Sequence, residues 1–331
     1  MRSQSKSSNL KVLFAGLMIS FGLTMQPYAS ITYTLHLDGV DSSIASAISS
    51  AMAEAVSLYN ANGTFTKSLH VYYSSGVPTA QANYDGVITF GGSRNTRVAM
   101  HEISHTLGIG TYSAYWNLMT GGNWDGGNAV RKLKSFDGAS AVLKGDSVHF
   151  WPYGLNYDSE DGTTARVRHV QIVQAFQSDM GLNSLGNVGG ITTGSSKYLV
   201  NRSASKVLTA AAATNGSNVS IATKVSSTAQ KWTIASSGAG RISLRSAQTG
   251  ARAIDTWSWG TVNGTNLALY DYYSNACQQY IAYNVSGSYY AIFPSHATGG
   301  VQCADAFGTS SGSNVGTWSY WGGTNQQWYV Q

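Results

Sequence analysis

Gln326-Gln327-Trp328, close to the carboxyl end, closes the last of three near-copies. It follows Gln278-Gln279-Tyr280 by 48 residues, and that tripeptide follows Gln230-Lys231-Trp232 by another 48. The interval recurs in Asn218-Val219, Asn266-Leu267 and Asn314-Val315, and again in Ala222, Tyr270 and Trp318. A fixed period of this size means that each copy is one supersecondary unit that cannot bury its own apolar face and stacks on its neighbours to do so. The rings of Trp232, Tyr280 and Trp328 are therefore expected to fill a shared centre.

Over about 145 residues these copies, each ending in Q-x-W or its aromatic variant, resemble the ricin-type β-trefoil lectins. The resemblance implies three four-stranded units closed around a pseudo-threefold axis, and a carbohydrate ligand, with galactose-type sugars among the candidates. It also implies where sugar is held. A carboxylate accepts from adjacent hydroxyls, a ring stacks on the apolar sugar face, and an amide near the end of the repeat supplies donor and acceptor. Asp305, Trp318, Asn325 and Gln326 match these roles in the third copy. The second keeps Asp255, Tyr270 and Gln278, with Cys277 where the family usually has asparagine, and the first has Thr209, Ala222 and Ala229. The third copy is expected to be the strong site, the second a weaker one and the first none.

Upstream, residues 97–110 read RVAMHEISHTLGIG and contain His101-Glu102-Ile103-Ser104-His105, an HExxH pattern. Histidines four apart share one helical face and can grip one zinc ion. The glutamate between them is placed to take a proton from metal-activated water and pass it to a leaving amine. Val98, Ala99, Met100, Ile103, Thr106 and Leu107 make this an interior helix, and a buried polar pair there needs a partner such as a metal. Gly108 and Gly110 supply the stop. Ahead of it lie a long helical pattern over 42–59 and two strand patterns, 67–74 and 86–91.

The segment resembles the metzincin-like metallopeptidases, whose signature HExxHxxGxxH it matches through Gly108. The position of the third histidine holds Thr111, so the third ligand has to come from elsewhere. The resemblance points to His149, in GDSVHFWPYGLNY. Glu160, Asp158, Asp161 and His169 stay open as alternatives, since thermolysin-like sites use a glutamate from a later helix. Tyr153-Gly154-Leu155-Asn156-Tyr157 is similar to the turn beneath the zinc in that family, which would make Tyr157 the donor to the oxyanion. The family also implies substrate binding by strand addition to a sheet edge, with Val77–Tyr84 as the neighbouring loop. The expected architecture is an α+β zincin-like catalytic domain followed by an all-β, ricin B-like trefoil.

Composition and the amino terminus set the context. The chain has 331 residues, 11% of them charged, with 37 glycines and a net charge of +5 that forms no long basic cluster. Two domains fit this length, and a nucleic-acid partner is not expected. Arg2, Lys6 and Lys11 precede the apolar run Val12–Met25, and Gln26-Pro27-Tyr28-Ala29-Ser30 follows, with cleavage expected near Ala29 or Ser30. This is a signal peptide over 1–30 that sends the chain to an extracellular or periplasmic space. No second long apolar stretch exists, so no membrane span is expected in the mature chain. The catalytic domain is placed at 31–183, a small, polar, glycine-rich tether at 184–196 and the trefoil at 197–331. An oxidising compartment permits a Cys277–Cys303 disulfide. The sequence thus reads as a secreted zinc endopeptidase acting on protein or glycoprotein and targeted to glycans. Its rival is a carbohydrate-binding adhesin or targeting factor with a degenerate first domain.

Overall fold

Alternating burial organises the first sheet. The computed structural model describes residues 30–183, 188–296 and 300–331. The signal-peptide reading falls on 1–29, outside the described residues, as does 184–187 of the expected tether. β1 (Ile31–Leu35), β2 (Lys67–Tyr73), β3 (Ala80–Ala82) and β4 (Val87–Phe90) form a sheet in the order β1-β2-β4-β3. β1, β2 and β4 run parallel, and the short β3 runs antiparallel to β4 at the edge. Leu69 and Val71 point inward while their neighbours on β2 do not, which is the period-2 signature of a half-buried strand. α1 (Ser42–Asn62) is started by Asp41, whose carboxylate accepts from Ser43 N at 2.8 Å and Ile44 N at 3.3 Å. It buries Ile48, Met52, Ala55, Val56 and Tyr59 along one stripe.

α2 (Thr96–Thr106) carries the HExxH residues and is buried at every position except His101. Asn95 caps it through Val98 N at 2.9 Å. It ends where Gly108 and Gly110 take φ of +111° and +64°, and at Gly110 a Cβ would lie 2.5 Å from the Val148 carbonyl oxygen. Only glycine lets this turn approach the loop that carries His149. After α3 (Ser113–Asn117) come α4 (Gly127–Asp137) and α5 (Thr163–Asp179), packed on each other. Asp179, at the end of α5, is buried and accepts from Asn128 N (2.8 Å), Ala129 N (3.0 Å), Asn128 Nδ2 (2.9 Å) and Trp124 Nε1 (2.9 Å). It caps α4 from another helix, where Gly126 has no side chain to offer.

Among the described residues of the carboxy-terminal part, twelve strands fall into three sets of four. The first set is Leu199–Asn201, Lys206–Ala210, Val219–Ala222 and Trp232–Ser236. Ile242–Ser246, Arg252–Thr256, Leu267–Asp271 and Tyr280–Ser286 form the second. Tyr289–Pro294, Gln302–Ala306, Val315–Ser319 and Trp328–Val330 form the third. Trp232, Tyr280 and Trp328 are buried together, and each indole donates to a carbonyl, Trp232 Nε1 to Leu208 O and Trp328 Nε1 to Ala304 O, both at 3.0 Å. On the axis, Asn218 Nδ2 donates to Asn314 Oδ1, Asn314 Nδ2 to Asn266 Oδ1 and Asn266 Nδ2 to Asn218 Oδ1, each at 2.9 Å. This closed ring is the physical form of the 48-residue interval, since each side chain meets the same partner turned by a third of a revolution.

Three expectations are corrected. The trefoil starts before residue 197: Ile191 packs in its core, and Gly194–Lys197 is a strand paired with Trp232–Ser236. The two domains do not hang on a flexible tether either. Ile281, Ala291, Phe293 and Cys303 of the trefoil share a core cluster with α4 and α5. Lys134 of α4, 1% exposed, donates from Nζ to Ala139 O, Ala141 O and Gly300 O. Apolar matching between the domains, invisible in a list of small polar linker residues, decides this. Finally, Cys277 and Cys303 are buried free thiols, not a disulfide. Each is held in its own repeat, Cys277 against Asp255 and Cys303 beside Lys134. Among the described residues no helix is long and apolar enough to cross a membrane.

Candidate functional site

α2 sets Arg97, His101 and His105 one turn apart on a single face, looking into a cleft of about 430 Å³ whose opposite wall is β3. His101 Nδ1 donates to Gly154 O at 3.0 Å and His105 Nδ1 donates to Ile109 O at 2.8 Å. A carbonyl can only accept, so both protons sit on Nδ1 and both Nε2 atoms present lone pairs. Those two Nε2 atoms are 3.1 Å apart. Burial, with His105 adding to it, pushes the His101 imidazolium pKa down to about 3, and burial lowers that of His105 as well. Two neutral rings thus aim lone pairs at one point with no proton between them.

His149 joins them. One ligand atom from each of His101, His105 and His149 lies within 4.8 Å of the other two. The loop bearing His149 is tied by Asp146, whose Oδ1 accepts from Val148 N (2.7 Å) and His149 N (2.6 Å) and whose Oδ2 is 3.5 Å from His149 Nδ1. Tyr115 OH donates to His149 O at 2.7 Å. Glu102, 5% exposed, has an Oε2 with no hydrogen-bond partner among the described residues. Burial pushes its carboxyl up to about 7 against the pull of Arg97. Three imidazoles with a carboxylate beside them suit a borderline-soft divalent ion such as zinc, and the facing lone pairs and the orphaned Oε2 are what such an ion and its water would satisfy.

The turn 153–156 underlies this cluster through four successive carbonyls. Tyr153 O accepts from His169 Nδ1 (2.7 Å), Gly154 O from His101, and Leu155 O (2.7 Å) and Asn156 O (3.3 Å) from Arg97 Nη1. Leu155 is fully buried. Tyr157 does not belong to the site: it is 62% exposed and absent from the cleft wall. Arg97 ties down the residues on either side, through Asn156 O and Asp158 Oδ1, while Tyr157 stands between them in extended backbone with its ring in solvent. The other candidate ligands are engaged elsewhere. Glu160 accepts from Asn156 N, Asp158 pairs with Arg97 and Asp161 with Arg166, and His169 is buried against Tyr59 OH at 2.8 Å. Thr111 Oγ1 donates to His105 O. Sequence reading missed Arg97 and Asp146. The signal for Arg97 was present, four residues ahead of His101, whereas that for Asp146 was only an Asx-type turn ahead of a histidine.

In the third repeat Asp305 is buried, with Oδ1 bonded to Asn325 Nδ2 (2.7 Å) and Oδ2 to Gln326 Nε2 (2.9 Å), beside a 43% exposed Trp318. In the second, Asp255 lies in a cavity of about 430 Å³ with Trp257, Trp259, Tyr270 and Tyr273 in its wall. Its Oδ2 is met by the Cys277 thiol at 3.4 Å. Trp257, Trp259 and Tyr273 were not anticipated, because they lie in loops outside the aligned positions of the repeat. Gln278 and Gln326 are corrected to a structural role. Both are fully buried, and Gln278 accepts from Tyr273 N while Gln326 accepts from Trp321 N, as Gln230 does from Val225 N. They fasten the loop rather than face solvent.

The carboxy-terminal domain is a threefold β-trefoil with a ricin B-like region in its first part. Residues 187–270 match the family described as "Ricin-type beta-trefoil lectin domain-like". Similar solved structures include a designed threefold-symmetric protein, ThreeFoil, 29% identical over 40% of this chain and 96% of that one, with a TM-score of 0.39. An exo-β-1,3-galactanase from Clostridium thermocellum is 24% identical over 42% of this chain and 30% of its own, with a TM-score of 0.39. A ricin B-like lectin from Macrolepiota procera, in complex with lactose, is 18% identical over 42% and 97%, with a TM-score of 0.35. No curated protein matches the chain.

Proposed function

We propose that this protein is a secreted, zinc-dependent endopeptidase whose trefoil holds it on glycan-bearing substrate. The observation that carries the reading is the pair of Nε2 lone pairs 3.1 Å apart, completed by His149 and flanked by the unpartnered Glu102 Oε2. Zinc held by the three imidazoles would supply Lewis-acid activation of water and of the scissile carbonyl. Glu102 takes the proton of the attacking water and delivers it to the leaving amine, a role suited to a carboxyl with a pKa of about 7. The outer edge of β3 offers its backbone groups to an extended peptide, as strand addition requires. The ring-walled cavity at Asp255 and the Asp305–Trp318 face are suited to sugars of the galactose type, stacked on aromatics and bonded to carboxylate.

Metal analysis of the mature protein by mass spectrometry, followed by casein cleavage, tests this. The wild type is expected to carry zinc and cleave. Glu102→Gln should keep the metal and lose at least about 10²-fold in rate. His149→Ala should lose most of the metal. A wild type that carries no metal and does not cleave overturns the peptidase reading and leaves a carbohydrate-binding protein without catalysis, whereas a fully active Glu102→Gln overturns the role given to Glu102.

A further inference from the structure

We propose that Arg97 is a substrate-contacting residue that selects a carboxylate on the peptide bound in the cleft; this rests on the peptidase reading of that cleft. Arg97 is 9% exposed and stands one helical turn before His101 on the face that looks at β3. A guanidinium has five N–H donors in a fixed fork. Nε is spent on Asp158 Oδ1 at 2.7 Å, and Nη1 on the carbonyls of Leu155 and Asn156. Nη2 has no partner among the described residues, although the side chain lines the cleft.

The three bonds that are made fix the plane of the fork, so the remaining edge is pre-positioned and loses little entropy on binding. Its ligand must be acceptor-only. A carboxylate accepts from Nη2 and adds charge, which a neutral peptide carbonyl does not. Asp158, 81% exposed on its side chain, is screened by solvent and compensates the guanidinium only in part. The carboxylate is either an acidic side chain near the scissile bond or the free carboxyl terminus of a short peptide.

The test uses matched blocked peptides, one pair differing as glutamate against glutamine and a second as free against amidated carboxyl terminus. Affinity is read by calorimetry on the full-length, metal-free protein, and kcat/KM on the zinc-loaded protein. In the wild type the carboxylate member of one pair should bind about tenfold tighter or more, as a charge-assisted bond predicts, and the responding pair identifies the source. Arg97→Gln should abolish the preference, and Arg97→Lys should restore part of it. A purely structural Arg97, holding the turn 155–156, would lower kcat/KM for every peptide alike and leave no preference in the wild type. Equal affinity for both members of both pairs, or no binding of any, overturns the proposal even if Arg97→Gln fails to fold. Failure of the peptidase reading shows separately, as absence of cleavage with the binding preference intact.

Discussion

His101 and His105 owe their readiness for a metal to what their Nδ1 atoms do. A backbone carbonyl on each fixes the tautomer, burial keeps each ring neutral, and so Nε2 is left as a ligand. The i,i+4 spacing was legible in the sequence, but the acceptors, Gly154 O and Ile109 O, were not, because a carbonyl leaves no residue-type signature. The faces proposed for sugar show the same limit. The motif ranks the third repeat first, whereas the structure surrounds Asp255 with four rings and gives its carboxylate the Cys277 thiol and the Gln278 side chain as partners. Asp305 has an amide on each oxygen. Asp255→Ala is therefore expected to weaken binding to a galactose-type glycan array more than Asp305→Ala does, and the reverse order would restore the motif's ranking.

At the scale of elements, the trefoil was readable because threefold repetition repeats its own evidence. Trp232, Tyr280 and Trp328 lie in one apolar cluster, and removing one ring opens a void that the close-packed side chains around it cannot collapse to fill. Trp328→Ala is expected to cost about 3–5 kcal/mol and to strand the Ala304 carbonyl, seen as a fall in the denaturation midpoint. Strand β3 was harder to foresee. Three residues, Ala80–Ala82, carry too short a pattern for periodicity, and their edge position depends on β4 being already paired with β2 on its other side. The turn 153–156 is an intermediate case. Its place beneath the histidine cluster followed from the resemblance, while the exposure of Tyr157, between two residues that Arg97 bonds, did not.

Across the whole molecule the domains are one packed body rather than a tethered pair. Gly127 N donates to Ala239 O at 2.7 Å, Arg131 Nη1 to Gly240 O at 2.6 Å and Tyr283 OH to Lys134 O at 3.2 Å. Asp179 sits behind this seam, and burial raises its carboxyl to about 6 in spite of the bonds from Trp124, Ala129 and Asn128. The sign of its linkage follows from that. Between about pH 4 and 6 the folded protein holds a proton that the unfolded chain releases, so the contribution of this group falls as pH rises through the window. The change is on the order of 3 kcal/mol. Thermal melts from pH 4 to 7 should show this component, and Asp179→Asn, which cannot ionise, should remove it. Unchanged pH dependence in that variant would place the titration elsewhere.

The sequence by itself determined the repeat, the aromatic centre and the pair of imidazoles, because each is a relation between residues at fixed spacing within one element or one recurring unit. Only the tertiary structure decided that His149 rather than an acidic residue completes the cluster, that Arg97 braces the turn below it, that the cysteines stay apart and that the domains share a core. Those are contacts between segments far apart in the chain, set by how buried faces fit, and spacing along the chain does not encode them.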